Sequence, residues 1–316
     1  MELVHAHQIP FEELLKENID ILIATCCNDT RSRHLVQLSN FNAQKKIAFI
    51  FKENQDSVIH AENVLFFREK GFECYELSGK SADEIVVLLE NICGEKRFDN
   101  IKLVVDYSSM SKMWYGTIIS YFSYGEFDIN KLTVYFCYTP EYFVPPAAQK
   151  CKPANPEPVF SKPPSVNDNK PLSLVIGLGY DEGKAEFLCD FFKPDDVYFF
   201  LPNPSFDSKY TEEAKLKNKK LLSKVMSSHL LHYNASNVED IDDKLTALCL
   251  NLRLDYRTIL ISLGPKTFSL ASFLLNARYP DVEVWNLYGI DNSLDLKPAG
   301  MPIVYKAILT NEDDNY

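Results

Sequence analysis

The 316-residue sequence predicts an α/β protein built as two tandem three-layer α/β/α units with mostly parallel sheets. Three observations predict it. Short apolar runs of strand length alternate with amphipathic segments of about 12 residues, the pattern of parallel strands joined by crossover helices. A proline-rich stretch divides the chain, with eight of the 17 prolines lying between Pro145 and Pro171. The elements after that stretch then repeat the order of those before it.

In the first half, residues 1–18 give a short lead and a small helix after Pro10. Ile21 to Thr25 is a buried strand that ends in the polar turn Cys26-Cys27-Asn28-Asp29. Arg31 to Leu38 begins a helix, with Asp29 or Thr30 as its N-cap. Lys46 to Phe51 is a second strand. Ser57 to Lys70 is a helix with Ile59, Val64, Leu65 and Phe66 inward, stopped by Gly71. Phe72 to Leu77 is a third strand, and Ser81 caps a helix through Ile92. The fourth strand, Ile101 to Val105, is continuously apolar and runs into Asp106-Tyr107-Ser108-Ser109-Met110-Ser111-Lys112. A helix from Lys112 to Tyr124 and a fifth strand from Leu132 to Tyr138 follow.

The second half offers strands at 172–177, 197–201, 229–233, 257–262 and 282–287. Helices are expected at 184–192, 211–226, 238–252 and 266–277. Equivalent elements lie about 153 residues apart, with Ala24 meeting Gly177 and the Ser108 to Lys112 turn meeting Ser262 to Lys266. An internal duplication is expected, with units 1–144 and 172–316 joined by a proline-rich linker, 145–171, that is extended or docked as an edge strand. The acidic tail from Asn311 is expected to be mobile.

Composition narrows the function classes. A net charge of −11 and a pI of about 5.1 disfavour a nucleic-acid backbone as main partner. Six lysines from Lys209 to Lys224 interleave with leucines, as on a solvated helix face. The eight cysteines form no C-x-x-C pair, so no metal and no cofactor is expected; His5 and His7 read as surface residues. With no apolar run of spanning length and no signal-peptide pattern after Met1, a cytoplasmic protein away from membranes is expected.

Candidate ligand residues lie where open α/β sheets bind, at the loops following the first and fourth strands. The first half supplies Asn28, Asp29 and Arg31 with Asp106, Ser108, Ser109, Ser111 and Lys112. The second supplies Tyr180, Asp181, Glu182 and Lys184 with Ser262, Gly264, Lys266 and Thr267. Unpaired N–H groups at a helix start, hydroxyls and a lysine suit a phosphate. The plainer alternative makes Ser111 or Ser109 an N-cap, Lys112 a surface residue and Asp106 a turn-shaping group; the sharper one makes Asp106 a base or a ribose contact. Gly264-Pro265 allows close backbone approach, which makes the Lys266 side the better phosphate cradle. There is no G-x-x-x-x-G-K-[ST], G-x-G-x-x-G or G-x-S-x-G.

The Asp106 to Met113 stretch, followed by its second copy Ser262 to Lys266, resembles the ligand loop of CARF domains and of the SAVED domains that look like two fused CARF units. These are Rossmann-like sensors of cyclic oligonucleotides in prokaryotic defence. Serine and methionine stand where that family usually has glycines. The resemblance implies Rossmann-like units and a nucleotide sensor, with a cyclic oligonucleotide as ligand and a protein partner that carries the effector activity. It also implies that the loops at Asn28 to Arg31 and Tyr180 to Lys184 contribute to the site. Two alternatives stand beside it. One is a metal-independent phosphodiesterase or nucleotide hydrolase using the same residues. The other is a non-catalytic scaffold that docks its partner through the aromatic segment Tyr135 to Phe143.

Overall fold

The computed structural model describes residues 1–53, 57–94, 100–125, 129–145, 155–160, 169–287 and 296–311. The chain divides into two compact units, Met1–Tyr142 with Asn292–Tyr316, and Phe143–Asp291. Each is a Rossmann-like α/β unit.

The first unit carries a seven-stranded sheet. Its parallel centre holds β2 (Ile21–Cys26), β3 (Lys45–Phe51), β4 (Glu73–Leu77), β5 (Asn100–Asp106) and β6 (Lys131–Tyr138), in the spatial order β6-β5-β2-β3-β4. All six residues of β2 are buried, as expected of a strand covered on both faces. A 3-10 turn (Thr30–Arg33) with α2 (His34–Leu38), and then α3 (Val58–Glu69), make the crossovers from β2 to β4. The connections α4 (Asp83–Gly94) and α5 (Lys112–Tyr124) run in the other direction along the sheet. Right-handed crossovers put the two pairs of helices on opposite faces. The lead holds β1 (Glu2–Ile9) and α1 (Phe11–Leu14).

The second unit repeats this plan with β8 (Leu172–Gly177), β9 (Asp196–Pro202), β10 (Leu230–Tyr233), β11 (Arg257–Ser262) and β12 (Val282–Leu287), ordered β10-β9-β8-β11-β12. Its helices are α6 (Lys184–Phe192), α7 (Ser208–Lys217), α8 (Lys219–Leu222), α9 (Val238–Asp255) and α10 (Lys266–Arg278). In both sheets the first strand of the repeat lies at the centre, the second and third to one side, the fourth and fifth to the other. The duplication read from the order of elements is therefore present in the topology. Both units also seat an antiparallel strand beside the fifth: β13 (Ile303–Thr310) on β6, and β7 (Pro156–Pro158) on β12.

Several expectations need correction. Residues 292–316, expected in the second unit, return to the first, where β13 pairs β6 on one side and β1 on the other. Strand β1 is mostly exposed or half-buried and carries His5, His7 and Gln8, and the apolar residues of β13 are interrupted by Lys306, so neither forms a continuous apolar run in the sequence. Of the proline-rich linker, β7 docks as an edge strand; 146–154 and 161–168 lie outside the described residues, as do Cys151 and the tail from Glu312. The buried residues of α3 are His60, Asn63 and Phe67; of the expected inward set, Val64 and Phe66 pack partly buried against the core, whereas Leu65 is 59% exposed. The helix expected over 211–226 breaks at Asn218. That side chain is buried and donates to Gly179 O and Ala214 O, both at 2.8 Å, so it serves the loop beneath rather than extending the helix. Tyr135 to Tyr138 are core residues of β6, and of the aromatic segment Tyr135 to Phe143 only Tyr142 is exposed.

Candidate functional site

In each unit the strand order reverses between the first and fourth strands of the repeat, β2 with β5 and β8 with β11. The loops at the carboxyl ends of these pairs are where a doubly wound sheet opens a crevice.

In the first unit these loops hold a dense polar network. Asp29 caps the 3-10 turn, accepting from Ser32 N at 2.8 Å. Ser109 Oγ donates to the same carboxylate at 2.8 and 3.0 Å. Asn63, buried on α3, ties the turn together from its Nδ2, which reaches Cys27 O and Asp29 O at 2.8 Å and Ser32 Oγ at 3.0 Å. Ser108 N and Ser108 Oγ both donate to Asp106 Oδ1, and Ser108 Oγ accepts from Thr139 N at 2.8 Å. The neighbouring serines thus link one buried carboxylate to each loop.

Arg31 completes the network. Only 3% exposed, it donates from Nη1 to Glu141, lies 3.8 Å from Asp29 and stands over the Tyr138 ring at 5.8 Å. Tyr138 OH donates to the same Glu141 oxygen at 2.9 Å. Burial opposes the arginine's charge, but Glu141, Tyr138, Asp29 and Asp106 more than offset it and raise its pKa. Asp106 has the opposite balance. Burial pushes its carboxyl up to about 6, although Ser108 and Arg31 favour the charged form. Its Oδ2 has no partner among the described residues, nor do Asn28 Oδ1 and Arg31 Nε.

The returning chain passes over these loops. Arg31 N and Thr30 Oγ1 donate to Leu296 O, Tyr142 N to Lys297 O, and Ala299 N to Pro140 O. Glu141 bridges Pro298, and His34 Nε2 lies 3.2 Å from Gly300 O. Asp29, Arg31, Asp106, Ser108 and Ser109 are all at most 7% exposed beneath.

At the head of α5, Ser111 is the N-cap. Its hydroxyl accepts from Trp114 N at 3.2 Å and donates to Gly79 O at 2.8 Å. Lys112 is the first helical residue and is half-buried. The hydroxyls of Ser108, Ser109 and Ser111 therefore all donate within the protein, but only Ser111 is an N-cap; Ser108 and Ser109 bind the Asp106 and Asp29 carboxylates.

The second unit is built differently. Gly179 and Gly264 press one loop's backbone onto the other: a Cβ at Gly179 would stand 2.1 Å from Leu263 O, and one at Gly264 2.4 Å from Leu178 O. The missing side chain of Gly264 thus makes room for the neighbouring loop, a structural need for glycine beside the phosphate approach expected of it. The acid–base residues after β8 are more open. Lys184 Nζ donates to Asp181 at 2.7 Å, and Lys217 lies 3.8 Å from Glu182, both pairs partly exposed. Tyr180 is half-buried and rests edge-on against Tyr210.

Helix α10 begins at Lys266 after Pro265, with no side-chain cap among the described residues. At its head, Thr267 Oγ1 is buried without a partner among the described residues. So is Tyr233 OH, which would lie 3.4 Å from a Cβ on Gly264. Ser262, at the end of β11, is buried beside this head. A 13-residue helix that starts with lysine and lacks a cap concentrates donor groups and positive dipole at that point.

The loops named from the sequence follow the expected strands, and Asn63, Tyr138, Glu141 and Tyr233, which the sequence did not single out, pack against them. None lies in a motif; each arrives from an element distant in sequence. Among the described residues no group of three His, Cys, Asp or Glu side chains could hold a metal ion, and no helix is long and apolar enough to cross a membrane. No protein-family model matches the chain, and no curated protein matches it at a significant level.

Proposed function

We propose that the protein is a nucleotide sensor, with a cyclic oligonucleotide as the leading ligand class, similar to the CARF and SAVED sensors of prokaryotic defence and acting on a partner protein. One observation carries it. At the head of α10 in the second unit, Lys266 opens a helix start that has no side-chain cap among the described residues, beside the buried Tyr233 hydroxyl and Thr267 Oγ1, which have no partner among the described residues. The two hydroxyls and the helix start lack a side-chain acceptor among the described residues, and a phosphate supplies one. The repeated Rossmann-like topology supports the same reading, since it places these loops at the switch point. In this proposal the second unit supplies the phosphate contacts. The first unit's loops hold the equivalent position in their own sheet but spend their hydroxyls on Asp29 and Asp106.

A thermal-shift screen with cyclic di-, tri- and tetranucleotides and the linear mononucleotides tests it. A shift with at least one nucleotide, returned intact on chromatography, is expected. No shift across the panel would overturn the proposal.

A second reading has its own observation. Asp106, with its pKa near 6 and an unpartnered Oδ2, has the protonation range of a general acid or base, as in a metal-independent phosphodiesterase. In that case Asp106→Asn abolishes turnover, and chromatography finds linear or dephosphorylated products instead of intact ligand.

A further inference from the structure

The fold does not require the lysines of α7 and α8. The equivalent helix of the first unit, α3, carries one arginine among its charged residues, with Glu62 and Glu69 against it. Between Lys209 and Lys224, six lysines stand against two glutamates in a chain whose net charge is −11. Lys217 accounts for the local pairing, with Glu182 and Glu213. Lys209, Lys215, Lys219, Lys220 and Lys224 are exposed and make no ion pair with a carboxylate among the described residues. Unneutralised ammonium groups so close together repel one another, a cost that mixed charges on a solvated face would avoid.

The positive field extends beyond the two helices. His232, on the edge strand β10, has its pKa lowered by burial and then by Lys215 and Lys244. Two large apolar side chains accompany the lysines: Leu216, between Lys215 and Lys217, and Met226, just beyond α8, each 63% exposed. Tyr210, the aromatic residue of this stretch, is half-buried against Tyr180, so no exposed ring offers a stacking platform for single-stranded nucleic acid. The exposed Leu216, flanked in sequence by Lys215, Lys217, Lys219 and Lys220, instead matches the common interface plan of an apolar anchor with a charged rim.

We propose that the α7–α8 face is the docking surface for a protein partner that presents acidic residues around a small apolar centre. The charge pattern gives orientation as well as attraction, because an acidic partner is repelled by the chain's overall charge and drawn to this face. The proposal rests on the sensor reading only in identifying the docked protein with the one the sensor regulates.

Fluorescence anisotropy of the full chain tests it with a labelled 20-residue helical peptide carrying glutamates around two central leucines. A polyglutamate peptide, a 20-base-pair RNA duplex and phosphatidylserine vesicles are the competing probes. The expected result is binding of the leucine-bearing peptide in preference to all three. It should weaken about tenfold or more in the triple variant Lys215→Glu, Lys219→Glu, Lys220→Glu, and several-fold in Leu216→Ser. Circular dichroism checks that these surface variants stay folded, and Lys209→Glu with Lys224→Glu provides a second set if they do not. Absence of peptide binding, binding indifferent to both sets, or tighter binding of RNA or vesicles would overturn the proposal. A Lys266→Ala variant that loses its nucleotide shift but still binds the peptide separates this surface from the ligand site. Failure of the nucleotide screen alone leaves the docking surface standing.

Discussion

The switch points of the two units begin from the same topology and end as opposites. In the first, Asp29, Arg31, Asp106 and Glu141 meet in a buried network under the returning segment Leu296 to Gly300. In the second, the acid–base residues Asp181, Glu182 and Lys184 remain partly in solvent, two glycines lock loop to loop, and the head of α10 is uncapped. Equivalent loops are thus closed by internal hydrogen bonds in one unit, while in the other Tyr233 OH and Thr267 Oγ1 have no partner among the described residues. A shared strand order does not imply shared use; the partners of each hydroxyl and carboxylate decide that.

The sharpest way to break this comparison is to remove equivalent acids. Asp29→Ala deletes a cap, two serine bonds and a partner of buried Arg31, and should cost about 3–5 kcal/mol in unfolding free energy. Asp181→Ala removes a partly exposed partner of Lys184 and should cost under about 1 kcal/mol. Urea titrations of both variants check this, fitted unit by unit because two units need not unfold in one step. Equal costs would erase the distinction.

Asp106 gives a pH-dependent version. Its folded pKa, about 6, lies above the ordinary aspartate value, so the group favours folding while protonated. That contribution is complete below about pH 4 and is lost as pH rises through 6. Asp106→Asn keeps an oxygen for the Ser108 bonds and carries no charge. It should match the wild type near pH 4 and gain on it by up to about 2–3 kcal/mol by pH 7. Melting curves across that range read the difference, and a parallel pair of curves would count against the buried-acid account.

Next in size is Gly179→Ala, whose Cβ would collide with backbone at Leu263 rather than with a movable side chain. A loss of about 1–3 kcal/mol is expected, against little change for Gly79→Ala, whose Cβ would meet the Phe51 ring at 3.2 Å. The smallest effect is at the helix caps. Ser111→Ala should cost about 1 kcal/mol, while α10 has no side-chain cap to lose.

The parts legible in the sequence were local ones. Apolar runs marked the parallel strands, and Asp29, Ser111 and Lys112 announced the helix starts that they occupy. The duplication was visible because its elements keep their order and spacing. Other features depended on chain return. Glu141 lies 110 residues from Arg31, and Leu296 a further turn of the fold away, so no local pattern brings them to the same loop. Asn63 was hidden for a related reason: a polar residue on a helix face reads as solvent-facing until a loop with open carbonyls packs against it. Glycine was ambiguous in another way, since Gly264 marks a close approach without saying to what.

The most direct measurement is calorimetric titration of the best nucleotide from the cyclic panel into the wild type, Lys112→Ala and Lys266→Ala. If the second unit supplies the phosphate contacts, Lys266→Ala weakens binding about tenfold or more while Lys112→Ala changes it little. Equal losses in the two variants, or a loss confined to Lys112→Ala, would contradict the division of roles between the two switch points.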